Sequence, residues 1–285
     1  MNDLNVAQQY THTGLPARYV LSDPDFQQFQ TWMYDWAGIT LGDNKKVLVN
    51  GRLSKRLRDL GLNSFSEYIQ LLKSGDRPFE KQQVIDLLTT NETYFFRESK
   101  HFEFVGQVVK AMALQNNRDI KFWCAASSTG EEPYTLAMVL HDVLGGNGWN
   151  ILATDINDTV LNKAKAGIYP IEAQNKIPAK YLNKFCLKGI RSQKGVLKIG
   201  PELTRKIQFQ KRNLNQNLNG LPQFDFVFLR NVLIYFSVDT KREIIERISR
   251  VIRPGGYLLI GHSESLHKIS DKFQSLRPAV YQRIE

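Results

Sequence analysis

Between residues 22 and 90 the apolar positions recur at intervals of three and four, the period of a helix with one buried face. Ser22-Asp23-Pro24 carries a cap residue followed by a first-turn proline, so a helix is predicted from there to about Ala37. Its stripe is Phe26, Phe29, Trp32, Met33 and Trp36, read as packing rather than as a cofactor box. Three more helices are predicted near Lys46–Leu60, Ser64–Leu72 and Pro78–Thr89, which makes residues 1–90 a small all-helical domain. Its polar leading stretch, residues 1–15, is expected to be mobile.

From about Lys121 the pattern changes to short apolar runs alternating with helical periods. Strands are predicted at Ile120–Ala126, Ile151–Ile156, Phe224–Arg230 and Tyr257–Gly261. Helices are predicted near Pro133–Val143, Asp158–Ala166 and Asp239–Ile252, the last stopped by Pro254-Gly255-Gly256. This alternation is the signature of an α/β, doubly wound, Rossmann-like parallel sheet over residues 91–285. Between Gly167 and Arg212 it breaks: Gly189, Gly195 and Gly200 punctuate segments such as Val196-Leu197-Lys198-Ile199. An inserted small antiparallel β-subdomain is expected at about 168–210.

Composition narrows the class. No apolar run reaches the ~18 residues of a membrane span, and no basic-then-apolar leader opens the chain. Two cysteines make no disulfide framework, and five histidines lack ligand spacing. The expectation is a soluble cytoplasmic protein without a metal. The net charge is +10, yet residues 1–90 hold ten basic and ten acidic side chains. Between Lys176 and Arg212 stand eleven Lys or Arg against Glu202 alone, so the excess lies in one segment and suits an acidic partner.

Ligands of a doubly wound sheet bind beyond the carboxyl ends of its strands. The first such end is Ala125-Ala126-Ser127-Ser128-Thr129-Gly130-Glu131-Glu132, a turn of small residues followed by two carboxylates. That charge repels a pyrophosphate and favours a cation; S-adenosylmethionine, with its sulfonium and ammonium, fits better than NAD or ATP. Asp155 ends the next strand, where a carboxylate accepts both ribose hydroxyls. Asn213-Leu214 offers an amide for an adenine edge beside an apolar flank. Arg230-Asn231 closes the Phe224–Leu229 run, with Tyr235 one helical turn further on. Asn91-Glu92-Thr93-Tyr94-Phe95-Phe96-Arg97 joins the two domains and is placed to close over a ligand. There Asn91 and Thr93 are polar, and Arg97 carries a planar fork matched to a carboxylate.

Five motifs in order carry a resemblance: Asn-Glu-Thr-x-Phe-Phe-Arg, Trp-Cys-Ala-Ala-x-Ser-Thr-Gly-Glu-Glu-Pro-Tyr, Ala-Thr-Asp-Ile, Arg-Asn-Val-Leu-Ile-Tyr-Phe and Gly-Gly-Tyr-Leu-x-Ile-Gly-His-Ser-Glu. Over nearly its whole length the chain resembles the bacterial chemotaxis receptor methyltransferases of the CheR type. The resemblance implies S-adenosylmethionine-dependent methyl esterification of chemoreceptor glutamates. It places Asn91, Thr93, Arg97, Glu131, Asp155, Asn213, Leu214, Arg230 and Asn231 around the cofactor, with Arg97 and Tyr235 nearest the transferring methyl as the catalytic pair.

Lys45, Lys46, Arg52, Lys55, Arg56 and Arg58 lie in a stretch without an acidic residue. Chemoreceptor methylation helices are acidic, so this basic helix is the expected receptor-facing surface. The insert of some family members also binds a receptor C-terminal pentapeptide by strand addition. Their Gly-x-Gly and Gly-x-x-Arg pattern has Arg191 and Lys198 here in place of the second glycine and the arginine. Tethering through this insert is therefore an open expectation. The rival readings are an RNA or nucleotide methyltransferase, suggested by the basic insert, and a regulatory module that binds the cofactor without transferring methyl groups. No recognised RNA module is present, and Arg230-Asn231-Val232-Leu233 is not the Asn/Asp-Pro-Pro-Tyr loop of amide methylation.

Overall fold

The structure is a computed structural model and describes residues 19–115 and 118–284; the leading stretch expected to be mobile, residues 1–15, lies outside the described residues. Helix α1 (Asp23–Ala37) starts where Ser22 accepts the Asp25 amide and stops at Gly38, whose φ of 73° few other residues adopt. Phe26, Phe29 and Met33 of its stripe are buried. Trp32 and Trp36 are only half-buried and stack on each other at 5.1 Å. Helix α2 (Lys46–Leu60) turns Val49, Leu53 and Leu57 inward. Helices α3 (Phe65–Ser74) and α4 (Glu80–Leu88) complete the domain. The domain does not stand apart: its core is continuous with Trp123, Ala125, Leu152 and Leu214 of the sheet domain. Asp86 of α4 also accepts the amides of Asp158 and Thr159 at the start of the helix over Asp158–Ala166.

After the linker comes α5 (Lys100–Gln115), then β1 (Ile120–Cys124), α6 (Glu131–Leu144), β2 (Trp149–Asp155) and α7 (Asp158–Ala166). The insert follows as β3 (Ile168–Pro170), α8 (Ala179–Phe185), β4 (Cys186–Lys188) and β5 (Val196–Ile199), its sheet ordered β3-β5-β4 and antiparallel. The chain then runs through α9 (Pro201–Thr204), β6 (Ile207–Lys211), β7 (Phe224–Leu229), α10 (Val238–Val251), β8 (Ile252–Ile260), β9 (Phe273–Arg277) and β10 (Val280–Arg283).

The main sheet is ordered β6-β2-β1-β7-β8-β10-β9. From β6 to β8 the pairing is parallel, and the last two strands are antiparallel. Every residue of β7 is buried, because helices and the N-terminal domain cover both faces. From β1 the chain goes outward to β2 and β6 and returns on the other side to β7 and β8. That reversal leaves a crevice at the carboxyl ends of β1 and β7.

Four expectations are corrected. The sheet is mixed rather than wholly parallel, because β9 and β10 add an antiparallel hairpin. Residues 207–210 belong to the main sheet, where Ile207 pairs in register with Ile151, so the insert ends before them. Helix α5 escaped the reading of the chain. Pro254-Gly255-Gly256 does not stop the last helix; α10 ends at Val251 and the three residues sit inside β8, at an irregularity in its register with β7.

Candidate active site

The cleft lies at the carboxyl ends of β1, β2, β6 and β7 and is roofed by the linker and by Ile39, Leu41 and Leu88 of the helical domain. Ala125, Ala126 and Ser128 line it from the β1 side. Ser128 holds a φ of 48°, fixed by two bonds: its amide donates to Asp155 Oδ2 at 2.9 Å and its hydroxyl to the Asn91 carbonyl at 2.8 Å. Gly130 has another task. A Cβ there would stand 2.9 Å from Ala164 Cβ and from the Tyr169 hydroxyl, so this glycine serves the close approach of α7 and the insert, not of a ligand.

Asp155 is 8% exposed at the end of β2. One carboxylate oxygen takes the Ser128 amide, the other the Asn157 amide at 3.0 Å. Burial pushes its pKa up, against these amides, which favour the charged form. Each oxygen keeps a lone pair for a further donor.

At the β7 end Arg230 is 6% exposed. It donates to Glu132 at 2.7 Å, to Glu98 at 2.9 Å and to the Arg97 carbonyl at 2.6 Å. One buried cation thus ties α6, the linker and β7 together. Burial raises the Glu132 carboxyl and Arg230 opposes it. For Glu98 burial also pulls upward, but Arg230 and the His262 amide hold it below the usual range. Of this cluster Glu132 and Arg230 line the cleft, while Glu98 backs Arg230 from outside the lining.

The remaining expected residues divide. Asn91, Thr93, Arg97, Leu214, Asn231 and Tyr235 all line the cleft. Arg97 donates to the Glu92 carbonyl at 2.8 Å, and its guanidinium sits 5.8 Å from the Tyr94 ring. Burial keeps the half-buried Tyr235 hydroxyl protonated by raising its pKa. Glu131 is not among the lining residues; its carboxylate accepts from Thr129, and Glu132 faces the cleft instead. Consecutive helical positions point about 100° apart, and here it is Glu132 that is turned to the cleft. Asn213 lines the cleft and also bridges the two domains: it donates one N–H to the Trp36 carbonyl at 2.7 Å and accepts the Asn215 amide, which leaves one donor and one acceptor site on the carboxamide.

Glu264 carried no expected role. It accepts the amides of Asn231 (2.8 Å), Leu233 (2.7 Å) and Gly261 (2.6 Å), holding Asn231 at a φ of 55°. Its only signal was its place in the Gly-His-Ser-Glu motif.

The basic helix is also corrected. Arg56 makes a two-pronged bond to buried Glu80 at 2.8 and 2.6 Å, and Lys46 pairs with Asp23. Arg52 is turned onto the end of α4. Lys45, Lys55 and Arg58 remain exposed. In the insert, Lys180 and Lys184 both pair with Asp142, which reduces the free charge there.

Histidines that looked scattered do converge: ligand-type atoms of Glu98, His101 and His262 lie within 4.8 Å of one another. Arg230 already occupies the same Glu98 oxygen, so the group reads as a charge cluster rather than an ion site. Burial first, then Arg230 and His262, push His101 down to about 4, with Glu98 opposing. An unfolded histidine takes its proton near pH ~6.5, so the native state loses stability as pH falls from there toward 4. By pH 5 the loss is about 2 kcal/mol. Urea denaturation at pH 7 and pH 5 should show a smaller fall for His101→Leu than for the wild type; equal falls would remove His101 as the source.

A family profile described as "CheR methyltransferase, SAM binding domain" matches residues 91–281, and "CheR methyltransferase, all-alpha domain" matches residues 24–89. The chain belongs to the CheR methyltransferase family. A protein named chemotaxis protein methyltransferase from Escherichia coli K12 is 38% identical over 93% of this chain and 92% of its own length. Chemotaxis protein methyltransferase 2 of Pseudomonas aeruginosa is 39% identical over 90% of this chain and 92% of its own. As a CheR methyltransferase the chain uses S-adenosylmethionine as cofactor. The cleft fits that group: Asp155 has free acceptor capacity, Ile156 and Leu214 supply apolar walls, and the Glu132 carboxylate also lines it. Among the described residues no helix is long and apolar enough to cross a membrane.

Proposed function

We propose that this CheR methyltransferase acts in the cytoplasm on glutamate side chains of chemoreceptors, forming methyl esters in chemotactic adaptation. The observation that supports this reading most is the placement of a guanidinium, Arg97, and a neutral hydroxyl, Tyr235, on the lining of a cleft whose other end holds Asp155. A cation and a donor are what orient an incoming carboxylate.

The reaction asks little proton chemistry of the chain. An unperturbed glutamate has a pKa of about 4.3 and is ionised at pH 7, so no general base is needed. Bound S-adenosylmethionine supplies the electrophilic methyl carbon. A carboxylate oxygen forms the new C–O bond as the C–S bond breaks, and the sulfur keeps that electron pair. In this reading Arg97 holds the carboxylate in line and Tyr235 donates to it or to the methionine end of the cofactor. Holding the partners in line and dry is worth up to ~7–11 kcal/mol. The exposed cations Lys45, Lys55 and Arg58 attract the acidic methylation helix. Edge strand β4, with Leu187 and Ile190 exposed beside it, is the candidate dock for a receptor C-terminal pentapeptide.

The test uses labelled S-adenosylmethionine with membranes carrying a chemoreceptor, either full-length or truncated at its C-terminus. Base-labile label on the receptor is expected, and its absence would overturn the ester reading. Equal rates on both receptors would remove the pentapeptide dock. Tyr235→Phe, which loses one hydrogen bond, should lower turnover about tenfold; S-adenosylhomocysteine affinity within ~twofold of wild type assigns that bond to the carboxylate, and a parallel loss assigns it to the methionine end. An unchanged turnover would take Tyr235 out of the reaction.

A further inference from the structure

Arg52 has the sequence position of a receptor contact and the geometry of something else. Its Nη1 donates to the carbonyls of Leu87 (3.3 Å), Leu88 (3.0 Å) and Thr89 (2.9 Å), and its Nη2 to the Thr90 hydroxyl at 3.3 Å. The last carbonyls of a helix have no intrahelical partner, and a guanidinium there both satisfies them and complements the helix dipole. Leu88, Thr89 and Thr90 of the segment so gripped, and Asn91 directly after it, all line the cofactor cleft.

The other side of that segment reaches Asp155 by two arms. In one, the Thr89 hydroxyl accepts from Asn157 Nδ2 at 2.8 Å, and the Asn157 amide donates to Asp155 Oδ1 at 3.0 Å. In the other, the Asn91 carbonyl accepts the Ser128 hydroxyl at 2.8 Å, and the Ser128 amide donates to Asp155 Oδ2 at 2.9 Å. Both oxygens of the acid are thus held by residues that are held by the segment Arg52 clamps. Asn157 is 1% exposed and Asp155 8%, so the two amide bonds to the carboxylate are shielded from water and its competition, while those to Thr89 and Asn91 are half-buried.

We infer that Arg52 is a positioning residue of the cofactor site, setting residues 87–91 and through them the two amide donors that aim the Asp155 carboxylate. The basic helix α2 is then part of the cofactor-binding apparatus and not only an outer docking face. The inference rests on the cofactor site and not on the receptor reading, and its test contains no receptor, so the two fail separately.

The test is calorimetric titration of S-adenosylhomocysteine into the wild type, Arg52→Ala, Asn157→Ala and the double variant, with urea denaturation of each. Arg52→Ala should raise Kd about tenfold, and the double variant should bind little worse than the weaker single one, because both changes cut the same network. Arg52→Lys keeps the charge without the fork that spans three carbonyls and a hydroxyl, and should stay within ~threefold of Arg52→Ala. Val49→Ala, a cavity in the buried side of the same helix, controls for general loosening. It should lower the denaturation midpoint and leave Kd within ~twofold. A Kd for Arg52→Ala within twofold of wild type, or multiplying effects in the double variant, would overturn the inference. So would an equal weakening by Val49→Ala.

Discussion

Replacing Arg230 by methionine is expected to abolish methyl transfer and to cost the fold about 3–5 kcal/mol, the penalty of leaving a buried charge without its partner. The side chain fits the cavity in length, but Glu98 and Glu132 then face each other with no cation between them, both largely buried. The linker also loses the bond that ends at the Arg97 carbonyl, so Arg97, proposed above to orient the carboxylate, is no longer held in place. Without the guanidinium Glu98 moves above its unfolded pKa, and Glu132, which burial already holds above it, moves further up. Such groups contribute stability below that value and lose it as pH rises through the folded one, so the deficit against wild type should be larger at pH 8 than at pH 5. Urea denaturation at both pH values measures it. A deficit under ~1 kcal/mol, or one that grows on acidification, would mean that Arg230 is not the cation holding this junction together.

Asp155→Ala should weaken S-adenosylhomocysteine binding by at least ~100-fold. Two charge-assisted bonds to ribose hydroxyls are lost, each worth ~1.5–3 kcal/mol. The substitution also frees the Ser128 and Asn157 amides, so the β1 turn loses the anchor of its left-handed residue. Asp155→Asn separates the two roles: it preserves volume but presents an NH₂ to one of those amides. It is expected to bind the cofactor better than alanine and still at least ~tenfold worse than wild type. Calorimetry decides it. Wild-type affinity in Asp155→Ala would remove the acid from the cofactor site.

Local chemistry explains what was readable beforehand. Ser22, Pro24 and Gly38 bound α1 by cap and φ preferences that act within a few residues, and the predicted end at Ala37 is where the helix stops. The place of Asp155 on the cleft was readable because strand ends in this fold class face the crevice, a rule of topology that needs no coordinates. The five motifs carried the family, and with it the cofactor.

What escaped was decided by partners distant in the chain. Ile207–Lys211 has an ordinary alternating pattern, and nothing local says that it pairs with β2 rather than with the insert. Arg56 and Lys55 are adjacent cations on one helix. Only the placement of α4, 24 residues on, makes the first a partner of buried Glu80 and leaves the second in water. Glu131 and Glu132 are chemically identical, and the roll of α6 against β7 selects which one meets Arg230. Sequence by itself determined most of the elements, the family and the cofactor, because caps, periods and motifs are short-range. Which charge faces which, and therefore which residues bind and which merely hold, followed only from packing the helical domain onto the sheet, because a side chain's partner is fixed by the tertiary contact and not by its neighbours in the chain.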